Sequence, residues 1–242
     1  YIRVPMGVIA AITPFNFPLN LVAHKVAPAI ASGNTIVLKP ASTTPVTALI
    51  LAEILEEAGL PKGVFNVVIG SGSSIGDYLV SHPMVKKVTF TGSPPVGDSI
   101  IRKAGIKRVT LELGNNSATI IEKDADIDKA IPRCIASAFS NSGQVCISLQ
   151  RIYVHKDITD EFSQKFKQAT QNLKVGNPLD QDTELGPMID EKEAQRAKSW
   201  IDEAVSQGAE LLLNTRVIGF ERTGYKITNI KLLITKTNQT QT

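Results

Sequence analysis

Three residues could together support thiol chemistry. Cys146 lies in the stretch SNSGQVCIS, among small and polar residues rather than in an apolar run. A thiol nucleophile needs access, a nearby base or a lowered pKa, and donors for the oxyanion that it creates. Glu112, at the end of an otherwise apolar strand in TLELGNNS, could be the base, and Asn16, in TPFNFPLN, could donate to the oxyanion. Taken singly, each has a plainer interpretation: a small hydrophobe, a solvated carboxylate and a turn asparagine.

Two turns after apolar runs could contact a dinucleotide. GSGSSIG, with Gly70, Gly72 and Gly76, is one residue longer than the dinucleotide fingerprint, and it is as often a turn without a ligand. Lys39, in LKPAS, ends an apolar run and could bond a ribose or a phosphate. A solvated lysine at a strand edge is an equally good interpretation of Lys39.

The stretch FTGSPPVGDS is a stronger candidate. Gly92 and Gly97 have the spacing of a phosphate loop, but Asp98 stands where that loop requires lysine. A carboxylate there would repel phosphates, so a nucleoside triphosphate is disfavoured. A strand that runs into a helix start with free backbone N–H groups could still hold a pyrophosphate.

Composition narrows the class of protein. The 242 residues are 43% hydrophobic and carry a net charge of +3, with acidic and basic residues interleaved, so we expect no nucleic-acid partner. Two cysteines and three scattered histidines favour neither a disulfide framework nor a metal site. With neither a signal peptide nor an apolar run of about 18 residues, the sequence predicts a cytoplasmic protein without a membrane partner.

Short apolar runs alternate with helical segments, which predicts an α/β protein with a doubly wound, Rossmann-like domain. Runs of this kind are typical of strands buried on both faces of a parallel sheet. The clearest helix follows Thr44, the expected N-cap, and Pro45, the expected first helical residue. The expected strands are Gly7–Ile12, Thr35–Leu38, Phe65–Ile69 and Val85–Thr91.

The spacing of the elements changes around residues 111–125, and two long amphipathic helices follow. We therefore expect a dinucleotide-binding portion at 1–112 and the start of an α/β catalytic domain at 113–212, which contains Cys146. Residues 213–242 end in a run of Thr, Asn, Gln and Lys, and we expect a divergent tail that is frameshifted or disordered.

Five motifs resemble, in order and spacing, those of the NAD(P)-dependent aldehyde dehydrogenase superfamily: PFNFP, GNTIVLKPAS, FTGS, LELG and NSGQVC. The resemblance runs from about Val4 to Leu212 and includes the 34 positions from Glu112 to Cys146. It implies oxidation of an aldehyde to a carboxylic acid, with hydride transfer to NAD(P)+.

The resemblance also implies a role for each site residue. Cys146 would form a thiohemiacetal and then a thioester, and Asn16 with the backbone N–H of Cys146 would form the oxyanion hole. Glu112 resembles the general base, and Lys25, in AHKVAP, resembles a lysine suspected of proton relay. The positions implied to bind the cofactor are Thr13, Pro14, Phe15, Lys39, Ser42, Gly72, Gly92, Ser93, Gly97 and Leu113.

Two departures from the family pattern bear on specificity. Ser42 stands where many members that prefer NAD carry a glutamate for the ribose 2′-hydroxyl. The serine leaves room for a 2′-phosphate, so we expect NADP to be tolerated or preferred. Asn115 and Asn116, in ELGNNSA, resemble members that act on lactaldehyde, glycolaldehyde or succinate semialdehyde, which indicates a small polar aldehyde.

Compared with a full member of that family, the sequence is expected to be partial. The N-terminal portion, the C-terminal part of the catalytic domain and the strand through which intact members form homo-oligomers have no counterpart here. Two alternative functions therefore stay open: a catalytically inactive remnant, and a thiol esterase that uses Cys146 and Glu112 without a cofactor.

Overall fold

A computed structural model describes residues 2, 4–214, 218–219, 226–227 and 231–234. It divides the chain into two compact units, Tyr1–Asn115 and Asn116–Thr242.

A parallel sheet forms the centre of the first unit. Its strands are β1 (Val8–Ile12), β2 (Thr35–Lys39), β3 (Phe65–Val67), β4 (Val85–Thr91) and β5 (Arg108–Glu112). Their order in the sheet is β3-β2-β1-β4-β5, and every neighbouring pair is parallel. The four strands expected from the apolar runs are β1 to β4, with ends that differ by at most two residues. The expected doubly wound α/β fold is confirmed.

Helices cover both faces of this sheet. They are α1 (Asn20–Ala31), α2 (Val46–Glu57), α3 (Asp77–Ser81) and α4 (Pro94–Ala104). On one face, Val22 and Val26 of α1 and Ala48 of α2 pack against β1 and β2. On the other face, Val80 of α3 and Ile100 of α4 pack against β1, β4 and β5. Two separate apolar clusters therefore hold the sheet between two helical layers.

The start of α2 differs from the expectation. Thr44 was expected to cap the helix, but Pro45 occupies the N-cap position and no side chain caps the helix there. The Thr44 hydroxyl instead donates to the carbonyl of Phe15 at 3.5 Å. Thr44 thus bonds to the loop after β1 and does not cap the helix. At the other end of α2, Gly59 adopts a φ of +85° just after the helix, which is typical of a glycine that ends a helix.

The second unit contains the remaining elements: β6 (Ala118–Ile121), α5 (Ile127–Phe139), β7 (Arg151–Val154), α6 (Thr159–Gln171), α7 (Glu191–Ser206), β8 (Glu210–Asn214), β9 (Ile218–Gly219), β10 (Lys226–Ile227) and β11 (Lys231–Ile234). Strands β6 and β7 pair in parallel, and α5 and α6 pack against them around Phe162 and Phe166. The two long helices expected from the sequence are α6 and α7. The expected tail, 213–242, lies outside the described residues except for the end of β8 and strands β9 to β11.

Candidate active site

The carboxyl ends of the strands in the first unit bring most of the expected cofactor residues to one edge of the sheet. Thr13, Pro14 and Phe15 follow β1, Lys39 ends β2, Gly92 and Ser93 follow β4, and Leu113 follows β5. Two hydrogen bonds align these ends: the Thr13 N–H donates to the Lys39 carbonyl at 3.2 Å, and the Gly92 N–H donates to the Glu112 carbonyl at 3.0 Å. Because β1 pairs with β2 on one side and β4 on the other, this edge is the topological switch point where doubly wound sheets bind ligands.

Thr13 and Lys39 present buried polar groups at this edge. Thr13 is only 4% exposed, and its Oγ1 has no hydrogen-bond partner among the described residues. Lys39 is 5% exposed, its Nζ donates to the Pro40 carbonyl at 3.2 Å, and burial lowers the pKa of its ammonium group. A buried hydroxyl without a partner is unfavourable and rare in proteins. These residues therefore fit a ligand with hydroxyl and phosphate groups, such as a dinucleotide.

The start of α4 offers fewer N–H donors than the sequence argument requires. Ser93 is the N-cap, and Pro94 and Pro95 are the first two helical residues. Proline has no backbone N–H, so of the first three helical positions only Val96 has a donor. The Ser93 side chain makes no capping hydrogen bond. The start of α4 therefore has fewer N–H groups for a pyrophosphate than most helix starts, and a pyrophosphate site there stays a prediction.

The two glycines of this stretch have a packing role. A Cβ atom on Gly97 would approach Leu113 Cδ2 to 2.8 Å, and one on Gly92 would approach the Phe90 ring to 2.4 Å. Both glycines are thus needed for close packing around α4, whether or not a cofactor binds. Gly72, in contrast, has open space around it.

Lys25 lies within the electrostatic reach of Glu112. Lys25 projects from α1, is only 8% exposed, and its Nζ donates to Thr89 Oγ1 at 3.2 Å. Burial lowers the pKa of Lys25 to about 8, an effect that the charge of Glu112 opposes and the charge of Lys87 adds to. Glu112 itself is exposed at the end of β5. Thr89 was not among the candidate site residues predicted from the sequence. The signal that could have identified it is its polar side chain between the apolar Val88 and Phe90 in VKKVTFT.

Asn16 and Cys146 belong to different units. Asn16 lies half-buried in the turn between β1 and α1, in the same unit as Lys25 and Glu112. Cys146 is exposed in the second unit, in a turn after α5. The other cysteine, Cys134, is 5% exposed within an apolar cluster, and burial raises the pKa of its thiol. Of the two thiols, Cys146 is the accessible one.

The described residues contain neither a membrane-spanning helix nor a metal-binding cluster. No helix within residues 4–214 combines the length and the apolar character needed to cross a bilayer. In the part of the chain that the structure describes, no three His, Cys, Asp or Glu side chains are grouped so that they could hold a metal ion.

Known proteins resemble this chain closely. The 3-sulfolactaldehyde dehydrogenase of Priestia aryabhattai is 56% identical over 212 residues, which is 88% of this chain and 44% of that protein. The NADP(+) succinate-semialdehyde dehydrogenase of Escherichia coli is 46% identical over 213 residues, or 87% of this chain and 44% of that protein. A crystal structure of glyceraldehyde-3-phosphate dehydrogenase from Methanocaldococcus jannaschii, complexed with NADP, matches with a TM-score of 0.86 and 44% identity, covering 88% of this chain and 48% of that one.

The chain spans less than half the length of each of these proteins. The sequence model of the aldehyde dehydrogenase family matches residues 1–236, and so extends past residue 212, where the sequence resemblance was expected to end. With that match over nearly the whole sequence, the chain belongs to the aldehyde dehydrogenase family.

Proposed function

We propose that this chain contributes the dinucleotide site and the nucleophile of an NAD(P)-dependent aldehyde dehydrogenase that oxidises an aldehyde to a carboxylic acid. The observation that carries the proposal is the cluster of expected cofactor residues at the switch point of the sheet, with the buried Thr13 hydroxyl unpaired there. The exposed Cys146 thiol supports it from the second unit.

In the proposed reaction, the Cys146 thiolate attacks the aldehyde carbon to form a thiohemiacetal. The Asn16 amide and the Cys146 N–H would stabilise the oxyanion by hydrogen bonds. Bound NAD(P)+ supplies the hydride acceptor for conversion of the thiohemiacetal to a thioester. Glu112 would take a proton from the water that attacks the thioester, and the carbon–sulfur bond then breaks to release the carboxylic acid and the Cys146 thiolate. Lys25, whose pKa is lowered to about 8, would first lose an ammonium proton to solvent and then take that proton from Glu112.

Thr13, Lys39, Ser42 and Ser93 would hold the cofactor, and NADP is the proposed preference. Ser42 is exposed after β2, and its hydroxyl donates to the Gly70 carbonyl at 3.0 Å. No carboxylate stands at that position to repel a 2′-phosphate. The E. coli relative is named for NADP(+), and the M. jannaschii structure contains NADP, which favours the same choice here.

The proposed substrate is a short polar aldehyde. The relatives from P. aryabhattai and E. coli are named for 3-sulfolactaldehyde and succinate semialdehyde, both of which are short and polar. Asn115 and Asn116 follow β5, in the motif that indicated this substrate class. A cytoplasmic setting stays a prediction for this chain, and homo-oligomers were expected of intact family members only.

The test is to mix the purified chain with NADP or NAD and a panel of short polar aldehydes, and to follow the absorbance of the reduced cofactor. Cys146→Ala is expected to abolish the reaction, because no other accessible thiol is available, whereas Cys134→Ala is the matched control and should retain it. Reduction that survives in Cys146→Ala contradicts the proposal.

Two further outcomes would favour the alternative functions. Ester cleavage that requires Cys146 but ignores added cofactor favours a thiol esterase. A folded chain that neither binds nucleotide nor reduces it favours the inactive remnant.

A further inference from the structure

The backbone that leads into Cys146 is strained. Asn141 (φ 50°, ψ 39°), Ser142 (φ 59°, ψ 32°) and Gly143 (φ 75°) follow one another in the left-handed region. Glycine enters that region without a steric cost and asparagine tolerates it, so Ser142 bears the main cost. Among the residues that the structure describes, Asn141 and Ser142 are the two non-glycine residues with positive φ. Such a conformation persists only where neighbouring groups fix it.

Two side chains next to Gly143 supply that fixation. The Ser142 hydroxyl donates to the Gly186 carbonyl at 2.7 Å, with the Pro187 carbonyl 3.3 Å away. Gln144 Oε1 accepts from the Ile189 N–H at 2.9 Å, while Gln144 Nε2 donates to the Asn141 carbonyl at 3.0 Å. The strained segment is thus tied on both sides to residues 186–189, which lie more than 40 positions along the chain.

Residues 184–189 are themselves anchored. Leu185 is 3% exposed and forms an isolated parallel bridge with Val175. The Gly176 N–H donates to the Leu185 carbonyl at 3.1 Å, and the Leu185 N–H donates to the Lys174 carbonyl at 3.1 Å. Residues 174–176 follow closely after α6. The segment that holds Ser142 and Gln144 is therefore part of the folded body of the second unit.

A separate set of bonds holds the chain just after Cys146. Ser148 is 7% exposed, and its hydroxyl lies 3.3 Å from the Ser137 carbonyl and 3.2 Å from the Ala138 carbonyl, in the last turn of α5. The Leu149 N–H also donates to the Ser137 carbonyl at 3.2 Å. Between the two anchored sides lie only residues 145–147, so the position of Cys146 depends on both.

We propose that Ser142 and Gln144 are positioning residues that tie the strained approach of Cys146 to residues 186–189 and so hold the thiol in one place. This rests on the proposed function, in which Cys146 is the nucleophile. A nucleophile must be kept close to its reactive geometry, and small displacements slow the chemical step. The ties lie in the second unit and the proposed dinucleotide residues belong to the first, so loss of the ties should lower kcat and leave the KM for NADP unchanged.

The test compares Ser142→Ala with Ser142→Gly. Alanine removes the hydroxyl but keeps a Cβ in the left-handed region, whereas glycine removes the hydroxyl and the strain together. If the hydroxyl positions the turn, hydrogen–deuterium exchange of peptides covering residues 140–147 rises about tenfold in both variants, and kcat falls about tenfold in both. The control is Ser199→Ala, which removes a hydroxyl that donates to the Arg196 carbonyl at 2.8 Å within α7 and should change neither quantity.

Several outcomes overturn the positioning role. One is a glycine variant that matches the unmodified chain in exchange and kcat while alanine does not, because strain alone would then be responsible. Exchange that rises while kcat stays constant is another. Since exchange is read without substrate, unchanged exchange in both variants refutes the tie itself. The variants can show faster exchange while the unmodified chain shows no Cys146-dependent cofactor reduction. That result contradicts the proposed function and leaves the tie itself in place.

Discussion

The Lys25 ammonium is buried among groups that act on its charge in opposite directions. Burial disfavours the charged form, as does Lys87 on β4, while Glu112 at the end of β5 favours it. The Lys25 Nζ donates a hydrogen bond to the Thr89 Oγ1 at 3.2 Å. Burial has the largest effect, so the pKa is lowered from 10.5 to about 8. Lys25 is thus protonated at neutral pH at some cost to the folded state.

This cost predicts how stability depends on pH. Between pH 8 and 10.5 the unfolded chain binds more protons at Lys25 than the folded chain does, so the folded state gains stability as the pH rises through that window. Lys25→Met removes the charge. Its free energy of unfolding should exceed that of the unmodified chain by the largest amount below pH 8, and this difference should shrink towards pH 10.5. Urea denaturation at two pH values measures this.

Lys62→Met, at an exposed position, is the matched control for that comparison. The control should show little change in relative stability between the two pH values. If the stability that Lys25→Met gains over the unmodified chain is equal at both pH values, or grows with pH, burial does not set the pKa of Lys25.

At this scale the sequence predicted residue types better than partners. From its neighbours alone Cys146 could be a nucleophile or a small hydrophobe, and only the family resemblance favoured the nucleophile; the exposed thiol shows that Cys146 does not pack in an apolar core. The sequence could not reveal Thr89, because the partner of that hydroxyl comes from a helix 64 positions away. Nor could it reveal the ties from Ser142 and Gln144 to residues 186–189, which depend on how α6 ends.

At the scale of elements, Asn34 joins the turn between α1 and β2 to the entrance of β1. It is 5% exposed, and its Oδ1 accepts from the backbone N–H groups of Met6, at 2.6 Å, and Gly7, at 3.1 Å. Its Nδ2 donates to Ser32 Oγ at 2.8 Å. One side chain therefore satisfies several backbone and side-chain groups at the start of two neighbouring strands.

Asn34→Ala is expected to lower the free energy of unfolding by about 2 kcal/mol, because it leaves partly buried donors without an acceptor. Asn66→Ala is the control: the exposed Asn66 amide of β3 donates to the Gly63 carbonyl at 2.9 Å, and its loss should cost less than about 0.5 kcal/mol. Denaturant titration of both variants checks the difference. Equal costs would mean that Asn34 does not join these elements.

Apolar runs predicted β1 to β4 well, because a strand buried on both faces needs apolar residues along its length and so can be recognised from its own sequence. They described β5 less well, because Arg108, Thr110 and Glu112 are exposed on this edge strand and it is not the apolar strand that was expected. The start of α4 shows the other limit. The comparison with phosphate loops rested on the glycines of FTGSPPVGDS. The number of backbone N–H groups that a phosphate could bind depends instead on Pro94 and Pro95, which have none.

On the scale of the whole molecule, the proposed chemistry is divided between two units. Every residue proposed to bind the cofactor lies between Thr13 and Leu113, within the unit Tyr1–Asn115, and the accessible thiol lies in the unit Asn116–Thr242. The first unit contains a complete five-stranded sheet with helices on both faces and two apolar clusters. The expected division at residue 112 between a dinucleotide-binding and a catalytic portion stays a prediction.

Residues 1–115 expressed alone are therefore expected to fold and to bind NADP about tenfold more tightly than NAD, because Ser42 leaves a 2′-phosphate unopposed. Ser42→Glu should reverse the preference, since its carboxylate repels that phosphate and accepts from ribose hydroxyls. Lys39→Ala should weaken both cofactors equally, which makes it the control for general loss of the site. Titration calorimetry measures all of these affinities. A folded fragment that binds neither cofactor would place part of the dinucleotide site outside the first unit, and strong NAD selectivity would remove Ser42 as the determinant.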